Sequence, residues 1–308
     1  MPYARPRLDP GAPFFRRMNF TIVTPSFRNS KWLKLCIASV ADQQGVSFEH
    51  LVQDACSDDE TKDWLPQDRR VQAFIEKDKG MYDAINRGWK RAQGDIVAYL
   101  NCDEQYLPGA LKAVQAYADA HPDIDLFVAH TVVVDPAGNY MCHRRSLMPR
   151  EKHLWVRLPI LTCAAFLRRR VLEEKQLYFD AKWRDLGDVH WFLDMARRGV
   201  RAGIVPFYTS IFTETGDNMN LKPNAIREKE VTNGMMPAYI RKFQPAFVAW
   251  HRVRLLASGT FFQKPFDYSL YTLEASTRRT AHHVAKPTAI WRGLDGKPRR
   301  TEGAGLWR

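Results

Sequence analysis

An α/β fold with a mostly parallel central sheet flanked by helices is predicted by three observations. Short apolar runs at 20–24, 51–52, 71–76 and 96–100 alternate with helix-like stretches at 30–45 and 81–92, the rhythm of βαβ units. Runs such as FTIVT and IVAYL are continuously apolar rather than alternating, as strands buried on both faces are. Two runs end in acid, at 54–59 and 101–104, and in an open sheet ligands collect outside the carboxyl ends of the strands.

The elements follow in order. Residues 20–24 form a first strand that Pro25-Ser26 stops. Ser30 is placed to cap a helix whose face is Leu33, Cys36, Ile37 and Val40, and which fades at Gly45. Leu51-Val52 and 71–76 give the second and third strands. The central helix is read from Met81, Ala84, Ile85, Gly88, Trp89 and Ala92 at three- and four-residue spacing, with Asp83, Arg87, Lys90 and Arg91 on the other side and Gly94 at its C-cap.

Beyond Pro108 a helix spans 111–118, strand-like segments follow at 126–129 and 131–134, and the turn at 135–139 folds 140–143 back as a hairpin. A helical segment is expected from Phe166 to Glu174. A second helix, over 188–198, buries Trp191, Phe192, Met195 and Ala196 and ends at Gly199. Asp188 at its start reads equally as a carboxylate favoured by the helix dipole. Closing strands at 202–205 and 208–212 lead to a polar loop, Thr215-Gly216-Asp217-Asn218.

Three segments are expected: a flexible lead-in over 1–18, a main domain over 19–223, and a helical, basic extension over 224–308. In the extension, Tyr239, Ile240, Phe243, Phe247, Trp250 and Val253 are interleaved with Arg241, Lys242, Arg252 and Arg254. Such helices either dock on a membrane surface or a partner, or pack on the main domain with a solvated basic face. From about Thr277 the composition reads as an irregular stretch in which Trp291 and Trp307 are candidate anchors.

Composition narrows the class. Of 308 residues, 45% are hydrophobic and 12% aromatic, which excludes global disorder. The net charge of +12 favours an anionic partner. The five cysteines, at 36, 56, 102, 142 and 163, form no CxxC pair, which argues against a zinc ribbon or redox motif and fits a reducing, cytoplasmic compartment. No apolar h-region follows the arginines of the first 17 residues, and no run approaches the roughly 20 apolar residues of a spanning helix.

The blocks PSFRN at 25–29, QDACSDDET at 53–61, DKGMYDAINRGWKRAQGD at 78–95, LNCDEQYLPGAL at 100–111 and GDVHWFLDMARRG at 187–199 resemble, in order and spacing, the family 2 glycosyltransferases, inverting enzymes of GT-A fold. The resemblance covers about residues 19–218. It implies a sugar moved from a nucleotide-diphosphate donor, UDP-sugar by default, to a hydroxyl of a glycan or lipid-linked acceptor, with Mn²⁺ or Mg²⁺ bound by a DxD-type motif. By this resemblance Asp103 is the metal-binding aspartate, with Glu104 beside it and Asn101 at the motif's first position, where an acid is usual. Asp54, with Asp58 near it, corresponds to the acid that holds the base; Pro25 and Ser26 cradle base and ribose; Lys79 approaches base or diphosphate, and Asp83 faces the same cleft. Asp188 corresponds to the catalytic base, with Asp185 the fallback.

Such enzymes often build cell-surface polysaccharides at the cytoplasmic membrane face, which the basic aromatic extension suits. Two other classes compete. A nucleotidyltransferase would carry a Gly-rich loop after the first strand, which PSFRN lacks. A non-catalytic nucleic-acid or anion binder would use the basic extension, but no RNA-binding sheet signature or helix-turn-helix is present.

Overall fold

The computed structural model describes residues 19–216 and 223–295; the lead-in at 1–18, Asp217-Asn218 and Trp307 lie outside them. In chain order the main body contains β1 (Phe20–Ser26), α1 (Ser30–Ala41), β2 (Phe48–Asp54), α2 (Thr61–Trp64), β3 (Gln72–Ile75), α3 (Met81–Arg91), β4 (Ile96–Tyr99), β5 (Glu104–Tyr106), α4 (Ala110–Ala120), β6 (Leu126–Val134), β7 (Tyr140–Arg144), α5 (Glu151–Leu154), β8 (Ala165–Arg168), α6 (Arg169–Glu174), α7 (Gly187–Arg197) and β9 (Ala202–Thr213). Then come α8 (Pro223–Met235), α9 (Ala238–Lys242), α10 (Gln244–Ala257) and a hairpin of β10 (Phe266–Leu270) and β11 (Thr280–Val284).

The main sheet runs β3-β2-β1-β4-β8-β6-β9-β5, with β7 paired to β6. Strands β3, β2, β1 and β4 are parallel. Antiparallel β8 joins β4 to β6, so β6 and its parallel neighbour β9 point the same way as the first four. Strands β5 and β7 run against them at β9 and β6.

Alternate residues of the central strands supply two separate cores. Val23, Val97 and Tyr99 face a layer built on Tyr82, Ile85 and Trp89 of α3 and Trp191 and Phe192 of α7. Phe20, Ile22, Ile96 and Ala98 face the other way, onto Cys36 and Val40 of α1 and Leu111 and Val114 of α4. Burial on both faces is why these strands are apolar without alternation. Beneath α3 and α7, Phe179 stacks on Trp89 with centroids 5.2 Å apart and lies 5.0 Å from Trp191. The Asn86 side chain pins Phe179 by bonding both its carbonyl and its N–H, each at 2.8 Å.

Several local expectations need correction. Ser30 is the first residue of α1 rather than its cap. Its hydroxyl donates to Glu60 at 2.8 Å and accepts from the Trp64 indole at 2.8 Å, tying α1 to α2. Gly94 does not cap α3, whose C-cap is Ala92. It is a close approach: a Cβ there would lie 2.3 Å from the carbonyl carbon of Phe20. The strand pairs expected at 126–134 and 202–212 are single strands, β6 and β9, whose ladder shifts register around His130, leaving Pro206 and Phe207 unpaired. Residues Phe166–Arg168 extend β8 before α6 begins.

The stretch after Thr277 is not wholly irregular, since β11 lies in it. Its hairpin is packed on the sheet through Tyr268, Leu270 and Val284 against Leu107, Val132, Val134 and Ile211. The expected anchor Trp291 bonds the Glu214 carboxylate through its indole N–H at 3.2 Å. No helix among the described residues is long and apolar enough to cross a membrane.

Candidate active site

The carboxyl ends of β1 and β4, the start of α3, the turn into β5 and the start of α7 open into one cleft of about 1650 Å³. It gathers Pro25, Ser26, Lys79, Asn101, Asp103, Glu104, Asp185 and Asp188 along its lining. Pro25 and Ser26 are the last residues of β1, while Lys79 and Asn101 follow β3 and β4.

The acidic turn is shaped by its own second carboxylate. Glu104 is buried and accepts the backbone N–H of Asn101 at 2.8 Å. Burial, reinforced by the neighbouring Asp103 charge, pushes its carboxyl up to about 8. Asp103 is half-buried and turned to the cleft, and its carboxyl is raised by burial; no basic side chain among the described residues acts on it. The Oδ1 atom of Asn101 is buried without a hydrogen-bond partner.

No three His, Cys, Asp or Glu side chains cluster as a metal cage among the described residues. Mg²⁺ and Mn²⁺ at phosphate sites need fewer, because substrate oxygens and water complete the shell. A carboxylate lacking a counter-charge beside an orphaned amide oxygen is a hard-oxygen donor pair that fits such an ion.

Asp188 enters α7 in its first turn. Its Oδ1 accepts the Val189 N–H at 2.8 Å, and its own N–H donates to the Tyr82 hydroxyl at 3.1 Å. Burial pushes its carboxyl up to about 6; hydrogen bonds from Val189, its own amide and Tyr82 oppose the shift, and the Glu228 charge adds to it. Gly187 allows Tyr82 this close, since a Cβ at 187 would sit 2.5 Å from the tyrosine ring.

The loop before α7 is held from the chain's far end. Glu228 of α8 is buried and accepts the backbone N–H groups of Arg184, Asp185 and Leu186 at 2.8, 3.0 and 2.9 Å. Burial works against its charge, but these bonds hold its carboxyl below the usual range. Asn224 bridges Glu228 and the Asp185 carboxylate, the latter at 2.7 Å. His190 of α7 also bonds Thr232 of α8 at 2.9 Å.

Three expected residues lie off the cleft. Asp54 is buried and spends its carboxylate on the N–H and hydroxyl of Ser57, both at 2.7 Å, so it shapes the loop whose Ala55 and Cys56 do line the cleft. Asp58 is exposed and pairs with Arg28 through two hydrogen bonds, linking the loops after β1 and β2. Asp83 accepts the Lys79 N–H at 3.0 Å and pairs with Arg87 at 2.8 Å, serving the start of its own helix.

Four residues were not anticipated. Tyr82 sits in the quoted DKGMYDAIN block and shares a helical face with Ile85 and Trp89, a spacing that could have marked it. Asp78, which lines the cleft, stands at the head of the same block. Glu228 and Asn224 carried no local signal, because their partners are about forty residues distant.

The fold and its acid-lined cleft define an α/β protein of GT-A type. Residues 21–175 match the family model described as Glycosyl transferase family 2, and the chain belongs to that family. Asp188 lies beyond the matched segment. The Mycobacterium bovis PGL/p-HBAD biosynthesis glycosyltransferase is 31% identical over 120 residues, which cover 37% of this chain and 47% of that protein. The succinoglycan biosynthesis protein ExoO of Rhizobium meliloti is 27% identical over 186 residues, covering 53% of this chain and 51% of that one. The chain thus spans about half the length of these relatives.

Two solved structures share the fold at 18% identity. Staphylococcus aureus TarS 1-349 in complex with UDP-GlcNAc has a TM-score of 0.55, covering 67% of this chain and 61% of that one. The mannosyltransferase PcManGT of Pyrobaculum calidifontis, in complex with GDP-Man and Mn²⁺, has a TM-score of 0.51 with 80% of each chain covered.

Proposed function

We propose that the chain transfers a sugar from a nucleotide-diphosphate donor, UDP-linked by preference, to a hydroxyl of a glycan or lipid-linked acceptor in cell-surface polysaccharide synthesis, with inversion at the anomeric carbon. The observation that carries this is the pairing, in one cleft, of the Asp103 turn with Asp188, whose environment moves it toward neutrality. The bound donors of the two structural neighbours, and the biosynthetic names of the relatives, support the same reading.

The donor's base and ribose lie against Pro25, Ser26 and the loop that Asp54 shapes, with Lys79 toward the diphosphate. The Asp188 carboxylate accepts the proton of the acceptor hydroxyl as its oxygen bonds to the anomeric carbon. The bond from that carbon to the phosphate oxygen breaks in the same displacement and the nucleoside diphosphate leaves, with no covalent enzyme intermediate. Asp185, bonded to Asn224, stands beside Asp188 rather than in its place. A divalent cation, when bound, neutralises the departing diphosphate, and Asp103 with Asn101 Oδ1 would hold it.

Residues 19–223 form the catalytic unit in this reading, and 224–308 an extension that braces it through Glu228. The extension also exposes Tyr239, Phe243, Trp250, Val253 and Leu256 among Arg241, Lys242 and Arg252, a surface suited to peripheral contact with an anionic membrane face. In vesicle flotation, Phe243→Ser with Trp250→Ser should release the chain; unchanged flotation removes that role.

The deciding experiment is calorimetry with UDP, GDP and dTDP, with Mn²⁺ and then with chelator, on wild type and Asp103→Ala. One nucleotide should bind in a metal-dependent way and lose this in the variant. Binding of none overturns the donor reading.

A further inference from the structure

The same cleft has a second polar region remote in sequence from the Asp103 turn. His251 of α10 lines it, is 9% exposed, and its Nδ1 has no hydrogen-bond partner among the described residues. Two more buried nitrogens in its surroundings are likewise unsatisfied, Nδ1 of His153 and Nη1 of Arg254. A buried polar nitrogen left unpaired is costly, and of these three only that of His251 belongs to a residue lining the cleft, so it is the one a ligand there can complete.

The charge around it has one dominant sign. Arg144 at the end of β7, Arg157 after α5 and Arg254 on α10 all act on His251, and the first two line the cleft with it. Burial and these positive neighbours lower His251 to about 4, so it is a neutral imidazole with a nitrogen to offer at physiological pH. Lys229 and Arg252 line the cleft as well. Carboxylates are present too: Glu214 and Asp295 line it, and Glu214 is engaged by Trp291. Between the basic groups the lining is apolar, from Val156, Leu158, Val248, Leu255 and Phe261.

We infer that the wall formed by His251, Arg144 and Arg157 is an anion subsite that binds a phosphoryl group of the acceptor, with the adjoining apolar lining taking the acceptor's hydrocarbon. Guanidinium forks and an imidazole nitrogen arriving from three separate elements match a group with several oxygens better than a single carboxylate. The subsite rests on the cleft being a transferase site, and it adds what the acceptor must carry. Its residues are remote in sequence from those assigned to the donor, Lys79 and the Asp103 turn, where a divalent cation would sit.

The test uses the full chain saturated with UDP and Mn²⁺, titrated by calorimetry with n-octyl phosphate, inorganic phosphate, octanoate and octyl glucoside. Octyl phosphate should bind the nucleotide-filled chain. Its affinity should fall roughly tenfold or more in Arg157→Gln and in His251→Ala, as expected on losing a charge-assisted bond or its buried donor. Arg157→Lys should fall less, and UDP affinity should stay unchanged in all three variants, with the melting temperature unchanged in the two Arg157 variants. Inorganic phosphate binding as tightly as octyl phosphate would assign the site to free phosphate instead of an amphiphilic acceptor and overturn the acceptor claim. So would equal binding of octanoate, octyl glucoside, or octyl phosphate to every variant. If UDP fails to bind but octyl phosphate binds and the variants lose it, the donor reading falls while the anion subsite stands.

Discussion

The Glu228 carboxylate accepts the backbone N–H of Leu186 at 2.9 Å from a helix 42 residues further along the chain. The same carboxylate takes the N–H groups of Arg184 and Asp185, so one side chain from the extension fixes the backbone that delivers Asp188. Glu228→Ala leaves three N–H groups without their acceptor. At about 1–3 kcal/mol for charge-assisted bonds, it should lower stability to urea by that order and reduce kcat, while nucleotide affinity holds. Glu228→Gln keeps one acceptor oxygen and should fall between. A Glu228→Ala enzyme with wild-type kcat would show that the loop orders itself unaided.

Asp188→Asn removes the proton acceptor but keeps the shape. Turnover should drop by about 10²–10⁴, the range for a positioned general base, with donor affinity retained. In the wild type, kcat should rise with pH through about 6, because the base must be ionised. The stability consequence has a definite sign. A carboxyl whose folded pKa is raised contributes stability below its unfolded value and loses that contribution as pH rises through the folded one. The amide of the Asp188→Asn variant never ionises, so that variant should gain on wild type in thermal melts as pH rises from below the usual carboxylate range to above about 6. A difference that does not grow over that interval contradicts the burial assigned to Asp188.

Gly187 tests whether Tyr82 matters as shape or as hydroxyl. Gly187→Ala drives a methyl to within 2.5 Å of a ring that Phe179 backs at 4.6 Å, so neither side can yield without moving α7. A cost of about 1–3 kcal/mol and a loss of kcat are expected together. Tyr82→Phe keeps the ring and removes only the hydroxyl that meets Asp188. Its signature should be a higher apparent pKa in the pH profile of kcat, since a hydrogen bond favouring ionised Asp188 is gone.

What the sequence disclosed, and what it hid, follows the range of the interactions. The βαβ rhythm and the acidic ends of β2 and β4 were legible because buried parallel strands are written as continuous apolar runs. The outlines of α3 and α7 were legible from their spacing. Ser30 and Gly94 misled because each has a local meaning, cap or terminator, that a distant partner overrides: Glu60 and Trp64 for one, the Phe20 backbone for the other. The two closing strands expected at 202–205 and 208–212 are one strand, β9, because the irregular register against β6 around His130 carries the chain through. The resemblance implies cleft roles for Asp54 and Asp83, but their side chains are engaged nearer by, on Ser57 and on Arg87. Glu228 had no pattern to betray it, because its purpose exists only once α8 lies against α7.

The hairpin of β10 and β11 offers a last test, this time of how the extension bears on the acidic turn. Arg279, on the loop entering β11, forks onto the Asp42 carboxylate at the end of α1 with bonds of 2.6 and 2.7 Å, and also bonds the Tyr106 carbonyl at 3.0 Å. Next to it, the Gln105 side chain exchanges two hydrogen bonds with the Tyr271 backbone, at 2.8 and 2.9 Å. Both contacts fall on β5, the strand that begins at Glu104. Because the Arg279 guanidinium is mostly buried and makes several bonds, the pair should exceed an exposed ion pair. Arg279→Ala should cost about 1–3 kcal/mol, with a coupling to Asp42→Ala of about 1 kcal/mol in a double-mutant cycle. If β5 transmits the brace to the turn, Arg279→Ala should also weaken Mn²⁺-dependent nucleotide binding while leaving the pH profile set by Asp188 where it was. Strict additivity of the two substitutions would reduce the contact to a surface pair with no bearing on the turn.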